Sequence, residues 1–265
     1  MKNTQIISVI NQKGGVGKTT TVINLATALT FYKKKILVID LDPQGNATTG
    51  FGVSNDDPSS TIYSVLNGSS SFEDAIKDTK IDNLKIVSSN VDLSGLEIET
   101  AGENRRALLL KDKIENFING PKNDFSYIFI DCPPSLSLLT VMSLVVAKSL
   151  IVPLQAEFFA LEGLSQLIKT IDRVKINLNP ELEIRGVLLT MFDKRNKLSS
   201  QVEMEARKFL NEKVYQTVIP RNVRLSEAPS HGIPILIYDK FCAGSKSYSN
   251  FAEEFLKQEN IMESA

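Results

Sequence analysis

Three short apolar runs each end in residues suited to phosphate chemistry. The first ends in Asn11-Gln12-Lys13-Gly14-Gly15-Val16-Gly17-Lys18-Thr19-Thr20 and passes at once into a segment of helical period. Glycines let the backbone bend until successive N–H groups face inward, and a helix starting at Lys18 adds the partial positive charge of its N-terminus. Gly14, Gly15, Val16, Gly17, Lys18, Thr19 and Thr20 are therefore the expected phosphate nest. In it Lys18 is expected to reach the β- and γ-phosphates, and the Thr19 hydroxyl to ligate Mg²⁺. The strict pattern GxxxxGK[ST] is missed at one position, where Gln12 replaces its first glycine.

The second run ends Ile39-Asp40-Leu41-Asp42-Pro43-Gln44-Gly45-Asn46. Carboxylates at the C-terminal edge of a parallel sheet lie in the ligand crevice, beside the phosphate loop if the first two strands are near neighbours. Asp40 and Asp42 share strand parity, but Pro43 turns the chain, so they need not act together. The third run, Tyr127-Ile128-Phe129-Ile130-Asp131, is four apolar residues closed by an acid, the Walker B arrangement, in which Asp131 holds Mg²⁺ directly or through water. Cys132 reads as a small buried residue, and His231, the single histidine, has no fellow ligand for a His-based metal site.

These residues need a scaffold that gathers strand ends. β-Branched runs over 6–10, 36–40, 84–87, 127–131, 150–153, 184–191, 214–219 and 235–238 predict strands, several of them apolar throughout as strands buried on both faces should be. Helical period predicts helices over 18–32, 104–118, 136–147, 160–177, 200–211 and 245–257. In the first of these, Val22, Leu25, Ala26 and Leu29 make one apolar face. The alternation predicts an α/β fold: a mostly parallel twisted sheet with helices on both faces. The irregular stretch 54–71 reads as a surface excursion, so 1–265 is expected to be one domain.

KGGVGKTT resembles the deviant Walker A motif of the ParA/MinD group of P-loop ATPases. The resemblance implies ATP and Mg²⁺ as cofactors, and that Lys13 reaches across a homodimer to the phosphates of the partner's ATP. DLDPQGN resembles the switch I segment of ParA proteins, which implies that Asp42 orients or activates the attacking water; D-x-P-P-S after the third run resembles their switch II. The segment VYQTVIPRNVRLSEAPSHGIPILIYD resembles the C-terminal signature of chromosomal ParA proteins. It implies adenine contacts at Pro220 and Asn222 and a non-specific DNA surface including Arg195 and Arg224. The expected division is an AAA-type ParA part over about 4–180 and a part with adenine and DNA contacts over about 184–258.

Charge bears on the DNA reading. The 265 residues carry 30 Lys and Arg against 31 Asp and Glu, a net charge of −1 that excludes a globally basic coat protein. From 185 to 246, however, eleven basic residues face six acidic ones, a local charge of +5 that leaves −6 elsewhere. Charge runs are commonly no more than solvated faces. Here Lys194, Arg195 and Lys197 follow one expected strand end and Arg221 and Arg224 the next, with Lys246 further on, so both clusters are expected on one sheet edge. Phosphate contacts from few cations give weak, salt-sensitive binding, and two protomers would double the number of contacts.

Hydrophobic residues at 42% and charged residues at 23% provide for a real core. Two isolated cysteines suit neither a disulfide framework nor the paired cluster ligands of the nitrogenase iron protein, and point to a reducing cytosol. No signal peptide is read at the N-terminus, the phosphate loop near residue 13 leaves no room for the helix-turn-helix domain of longer plasmid ParA proteins, and the apolar stretch 136–147 is too short to span a bilayer. The C-terminus sets Lys257 against Glu253, Glu254, Glu259 and Glu263, a charge of −3 that anionic lipid would repel, unlike the basic membrane helix of MinD. The expectation is a cytoplasmic, nucleoid-associated ATPase. It forms an ATP-dependent homodimer, binds non-specific double-stranded DNA, works with a ParB-type partner in chromosome segregation and has no membrane partner. A MinD-like membrane regulator and a DNA-binding protein without significant catalysis are the alternatives.

Overall fold

The computed structural model describes residues 4–55 and 57–263, with side chains as far as Glu259. Its strands are β1 (Gln5–Val9), β2 (Ile36–Asp40), β3 (Ile76–Asp78), β4 (Leu84–Val87), β5 (Tyr127–Asp131), β6 (Ser149–Gln155) and β7 (Glu183–Thr190). They form one seven-stranded sheet in the order β3-β4-β2-β5-β1-β6-β7, parallel except at β3. Central strands β2 and β5 are buried at every position, which is why their sequences are apolar runs rather than alternations.

The helices are α1 (Lys18–Thr30), α2 (Asn46–Gly50), α3 (Ile62–Leu66), α4 (Leu96–Glu99), α5 (Leu109–Ile118), α6 (Leu138–Val146), α7 (Ala160–Asn177), α8 (Lys197–Leu210), α9 (Val223–Glu227), α10 (Ile235–Tyr238) and α11 (Ala243–Glu263). On one face α1 and α11 cover Phe129 and Ile151 with Val22, Leu25, Phe251 and Phe255. On the other, α3, α5 and α6 cover β2 and β5, while α7 and α8 cover β6 and β7. Each fully buried Leu, Ile or Phe side chain contributes about 1.5–3 kcal/mol. In α7 the spacing of Ala160, Leu164, Leu167, Ile171 and Val174 keeps one stripe inward. Helix α1 differs from its expected single apolar face: from Thr21 to Thr30 it is buried all round, held between the sheet and α11.

Three expectations are corrected. Residues 214–219 form no strand. They run beside β7 with single bridges at Val187–Val214 and Phe192–Pro220; between Tyr215 N and Ile219 N, which donate to β7, the Glu254 carboxylate takes the N–H groups of Gln216 and Thr217 (2.6 and 2.8 Å), the second of which alternation would turn toward β7. Residues 235–238 form helix α10, started by Pro234 and by Asn24 Oδ1, which accepts from Ile235 N at 2.9 Å. The stretch 54–71 is more than a surface excursion, since Thr61 caps α3 and Ile62, Val65 and Leu66 are buried. The acidic C-terminus is likewise docked: besides Glu254, Tyr32 donates to Glu253 and Tyr127 to Glu259, while Glu263 lies outside the described side chains.

Candidate active site

The loop between β1 and α1 owes its shape to two glycines in the left-handed region, Gly15 (φ 73°) and Gly17 (φ 90°), the second being the residue that opens α1. The loop is fastened from both sides. Asn11 Nδ2 donates to Pro153 O at 2.7 Å, its Oδ1 accepts from Lys13 N at 3.0 Å, and Thr190 Oγ1 donates to Val16 O at 2.8 Å. Lys18 is buried at the helix start, where its Nζ donates to Lys13 O at 3.1 Å. Burial lowers its pKa, opposed by the charges of Asp131 and Asp42. Lys13 is exposed, and its ammonium is paired with Glu157.

The sheet order decides how the acids meet. β5 lies between β1 and β2, so the two strands read as near neighbours are separated by the one that carries Asp131. Register places Asp131 beside Val9 on one side and beside Asp40 on the other. Partners in parallel strands point to the same face, so two carboxylates share one buried site. Asp40 is satisfied: Thr48 donates from N (2.8 Å) and Oγ1 (2.7 Å), and Asp42 N donates at 3.2 Å. Its pKa is nevertheless pushed up to about 6 by burial. Asp131 is fully buried, and only the Thr19 hydroxyl is close enough to act on its carboxylate as a donor. Burial and then the charge of Asp40 raise its pKa well above the carboxylate range, while Thr19 and Lys18 act in the opposite sense. Asp42 accepts from Gln44 N at 3.0 Å, which fixes the turn after β2.

These elements enclose a cavity of about 640 Å³. Gly14, Gly15, Gly17, Lys18, Thr19, Thr20 and Asp42 line it as the sequence predicts. Lys13, Val16, Asp131, Pro220 and Asn222 do not; Val16 and Asp131 are buried, and Asn222 Oδ1 is buried without a partner. The far wall was not foreseen: Met191, Ser226, Pro229 and Ser230, with Met191 in the left-handed region at φ 47°. No spacing signal links residues so far along the chain to the glycine loop. A positive φ at a non-glycine marks local strain, and here it falls on the cavity wall. Cys132, whose thiol donates to Ser143 Oγ at 3.1 Å and is pushed up to about 12 by burial, is poorly suited to act as a nucleophile. His231 stacks on Tyr238 at 5.0 Å.

The two basic clusters meet because Phe192 pairs with Pro220. Arg195 donates to Asp193 from Nε and Nη2 (3.0 and 2.9 Å), and Arg221 is close enough to act on the same acid, which these groups hold at about 2. Arg224 donates to Glu227 at 2.8 Å and lies 3.8 Å from Asp239. Lys197 and Lys246 are exposed in the first turns of α8 and α11. Acids thus neutralise part of the patch, although the Arg195 side chain stays 91% exposed.

A glycine loop opening a helix, a buried acid closing the neighbouring strand and a central parallel sheet define a P-loop nucleotide-binding fold. Residues 4–184 match the AAA domain family. The chain is 50% identical over 256 residues to the chromosome partitioning protein ParA of Caulobacter vibrioides, spanning 96% of this chain and 95% of that protein. It is 47% identical over 250 residues to the sporulation initiation inhibitor protein Soj of Bacillus subtilis, spanning 94% and 97%. Among solved structures, cobyrinic acid a,c-diamide synthase of Mycobacterium smegmatis, bound to an ATP analogue and magnesium, superposes with a TM-score of 0.83 at 33% identity, covering 96% of this chain and 94% of that one. This chain belongs to the ParA/Soj family of chromosome-partitioning P-loop ATPases. Among the described residues, no helix is long and apolar enough to cross a membrane.

Proposed function

We propose that this protein is a Mg²⁺-dependent ATPase whose ATP-bound form is a dimer with two nucleotides between its protomers. It binds double-stranded DNA without sequence preference and acts in the cytoplasm, on the nucleoid, with a ParB-type partner in chromosome segregation. The observation that carries the reading is Asp131: a fully buried carboxylate whose oxygens meet no donor but the Thr19 hydroxyl, next to Lys18. A buried acid so sparsely partnered is costly unless a cation visits it. In this reading Thr19 and Asp131 are the protein's share of the Mg²⁺ ligands, and phosphate oxygens and waters complete the set.

Each residue then has a role. The N–H groups of 14–20 and the Lys18 ammonium cradle the phosphates, and Lys13 supplies charge to the nucleotide of the second protomer. Thr19 and Asp131 would hold Mg²⁺, which would supply positive charge to the transferring phosphate. Asp42 orients the attacking water. Pro220 and Asn222 serve the adenine, the orphaned Asn222 Oδ1 being an acceptor suited to its exocyclic amine. Arg195, Lys197, Arg221, Arg224 and Lys246 contact DNA phosphates, and dimerisation doubles their number. Hydrolysis is slow until the partner protein and DNA stimulate it.

Size-exclusion chromatography with ATP tests the dimer: Asp42→Ala accumulates as dimer and Lys13→Ala stays monomeric, and the opposite pattern overturns the mechanism. ATP turnover indifferent both to DNA and to the partner protein, and unchanged in Asp42→Ala, would sink the partition reading.

A further inference from the structure

Resting on that dimer reading, we infer that Glu157 is a latch that holds Lys13 within its own protomer until nucleotide is bound. The pairing of the two side chains is built into the sheet. β1 and β6 are neighbours, the Asn11–Pro153 hydrogen bond ties the start of the glycine loop to β6, and Glu157 sits in the turn immediately after that strand. The turn is ordered by Glu157 N donating to Gln155 O (2.9 Å) and Ala160 N donating to Glu157 O (3.0 Å). The carboxylate is thereby presented to Lys13 at the mouth of the loop.

Both lysines assigned to phosphate are thus occupied by protein groups. Lys18 donates to the carbonyl of Lys13, and the Lys13 ammonium is neutralised by Glu157. A phosphate must displace a neutral dipole from the first but a full negative charge from the second. A triphosphate competes for Lys13 better than a diphosphate, so the latch makes release of this lysine sensitive to the γ-phosphate. Directly after Glu157, Phe158 and Phe159 pack edge to face at 5.0 Å with 74% and 68% of their surface exposed. An exposed apolar pair flanking the latch suits coverage by a second copy of this chain, so opening the latch and closing the interface fall in one place.

Glu157 is a positioning residue, and Glu157→Gln in the full chain is its test, read as the dimer dissociation constant by sedimentation velocity with a non-hydrolysable ATP analogue or ADP. A half-exposed ion pair is worth about two- to fivefold, so two latches per dimer amount to about four- to 25-fold. We expect Glu157→Gln to dimerise that much more tightly than wild type with the analogue, to form dimer with ADP at concentrations where wild type does not, and to keep its nucleotide-free melting temperature. The advantage shrinks as salt is raised, because salt already screens the wild-type pair; loss of a merely structural contact would show no such trend. If the Gln variant is unstable, Glu157→Ser carries the same expectation. A wild type that dimerises beside a variant that dimerises equally or less well overturns the latch and leaves the dimer standing. If neither protein dimerises with the analogue, the dimer reading falls and the latch with it.

Discussion

Asp131→Asn should make the nucleotide-free protein more stable while abolishing its response to Mg²⁺. The carboxylate is fully buried, opposite Asp40 in register, and the Thr19 hydroxyl is the one donor that acts on it. A buried ion without its partner costs several kcal/mol, and Lys18 and Thr19 offset only part, so neutralisation should gain about 3 kcal/mol. With an unfolding entropy of about 2.1 cal/mol/K per residue, a chain of this length changes by roughly 0.6 kcal/mol per degree, which makes the gain about 5 °C.

The pH dependence fixes the cause. A carboxyl whose folded pKa is raised above its ordinary 3.8 binds its proton more tightly in the native state. The contribution of this group to native stability is therefore full below about pH 4 and is lost as pH rises from there toward the folded value. Asp40, with a folded value of about 6, adds a loss in the same direction. The advantage of Asp131→Asn should accordingly be largest near pH 8 and fade toward about pH 4. Thermal melts at both ends of that range, without ligand and with ATP in the presence or absence of Mg²⁺, read all of it. Wild type gains stability from Mg²⁺ on top of ATP, because a ligand that binds only the native state stabilises it, and the variant does not. A ligand-free variant that melts no higher than wild type at pH 8, or that keeps the Mg²⁺ increment, would refute the reasoning.

Other positions give independent tests. At Gly186 an added Cβ would fall 2.4 Å from the Tyr215 ring, itself pinned edge-on by Phe251 at 4.7 Å. Gly186→Ala should cost about 1–3 kcal/mol in denaturant melts, and Tyr215→Leu in the same chain should recover part of it. Gly52, at φ 65°, touches Gly232, and a Cβ there would meet Gly232 O at 2.7 Å. Because this contact joins α2 to the segment holding Pro229 and Ser230, Gly52→Ala should weaken binding of a fluorescent ATP analogue as well as stability, by about 1–3 kcal/mol in the latter. For the basic patch, Arg195→Ala should lower the slope of log affinity for DNA against log salt by about 0.9, equally for unrelated sequences, as anisotropy titrations would show. An unchanged slope would remove Arg195 from the interface.

Much of the site was legible because it is local. The glycine loop, the lysine and threonine after it, and the acids closing 36–40 and 127–131 each sit within about ten residues of the backbone feature that orients them. Boundaries moved where a distant side chain intervened. Residues 214–219 have the composition of a strand, yet Glu254, nearly forty positions on, takes two of their amides. Residues 235–238 are β-branched and apolar, yet Pro234 and Asn24 start a helical turn there. The acids of the C-terminal helix also have partners that no short window shows, in Tyr32, Tyr127 and backbone amides of the domain itself.

By itself the sequence determined the chemistry available: a phosphate nest, two lysines, a threonine and acids at strand ends, because glycine torsions, helix starts and buried apolar runs depend on near neighbours. The tertiary structure decided which of these meet. Insertion of β5 between β1 and β2 sets Asp131 opposite Asp40 in one buried site, and the adjacency of β1 and β6 brings Glu157 to Lys13. The cavity wall of Met191, Ser226, Pro229 and Ser230 exists only once the C-terminal half has folded back onto α1 and α2. The physical reason is that strand order is a choice among several similarly apolar runs. It is settled by how their faces and helices pack together, information that no short window of residues contains.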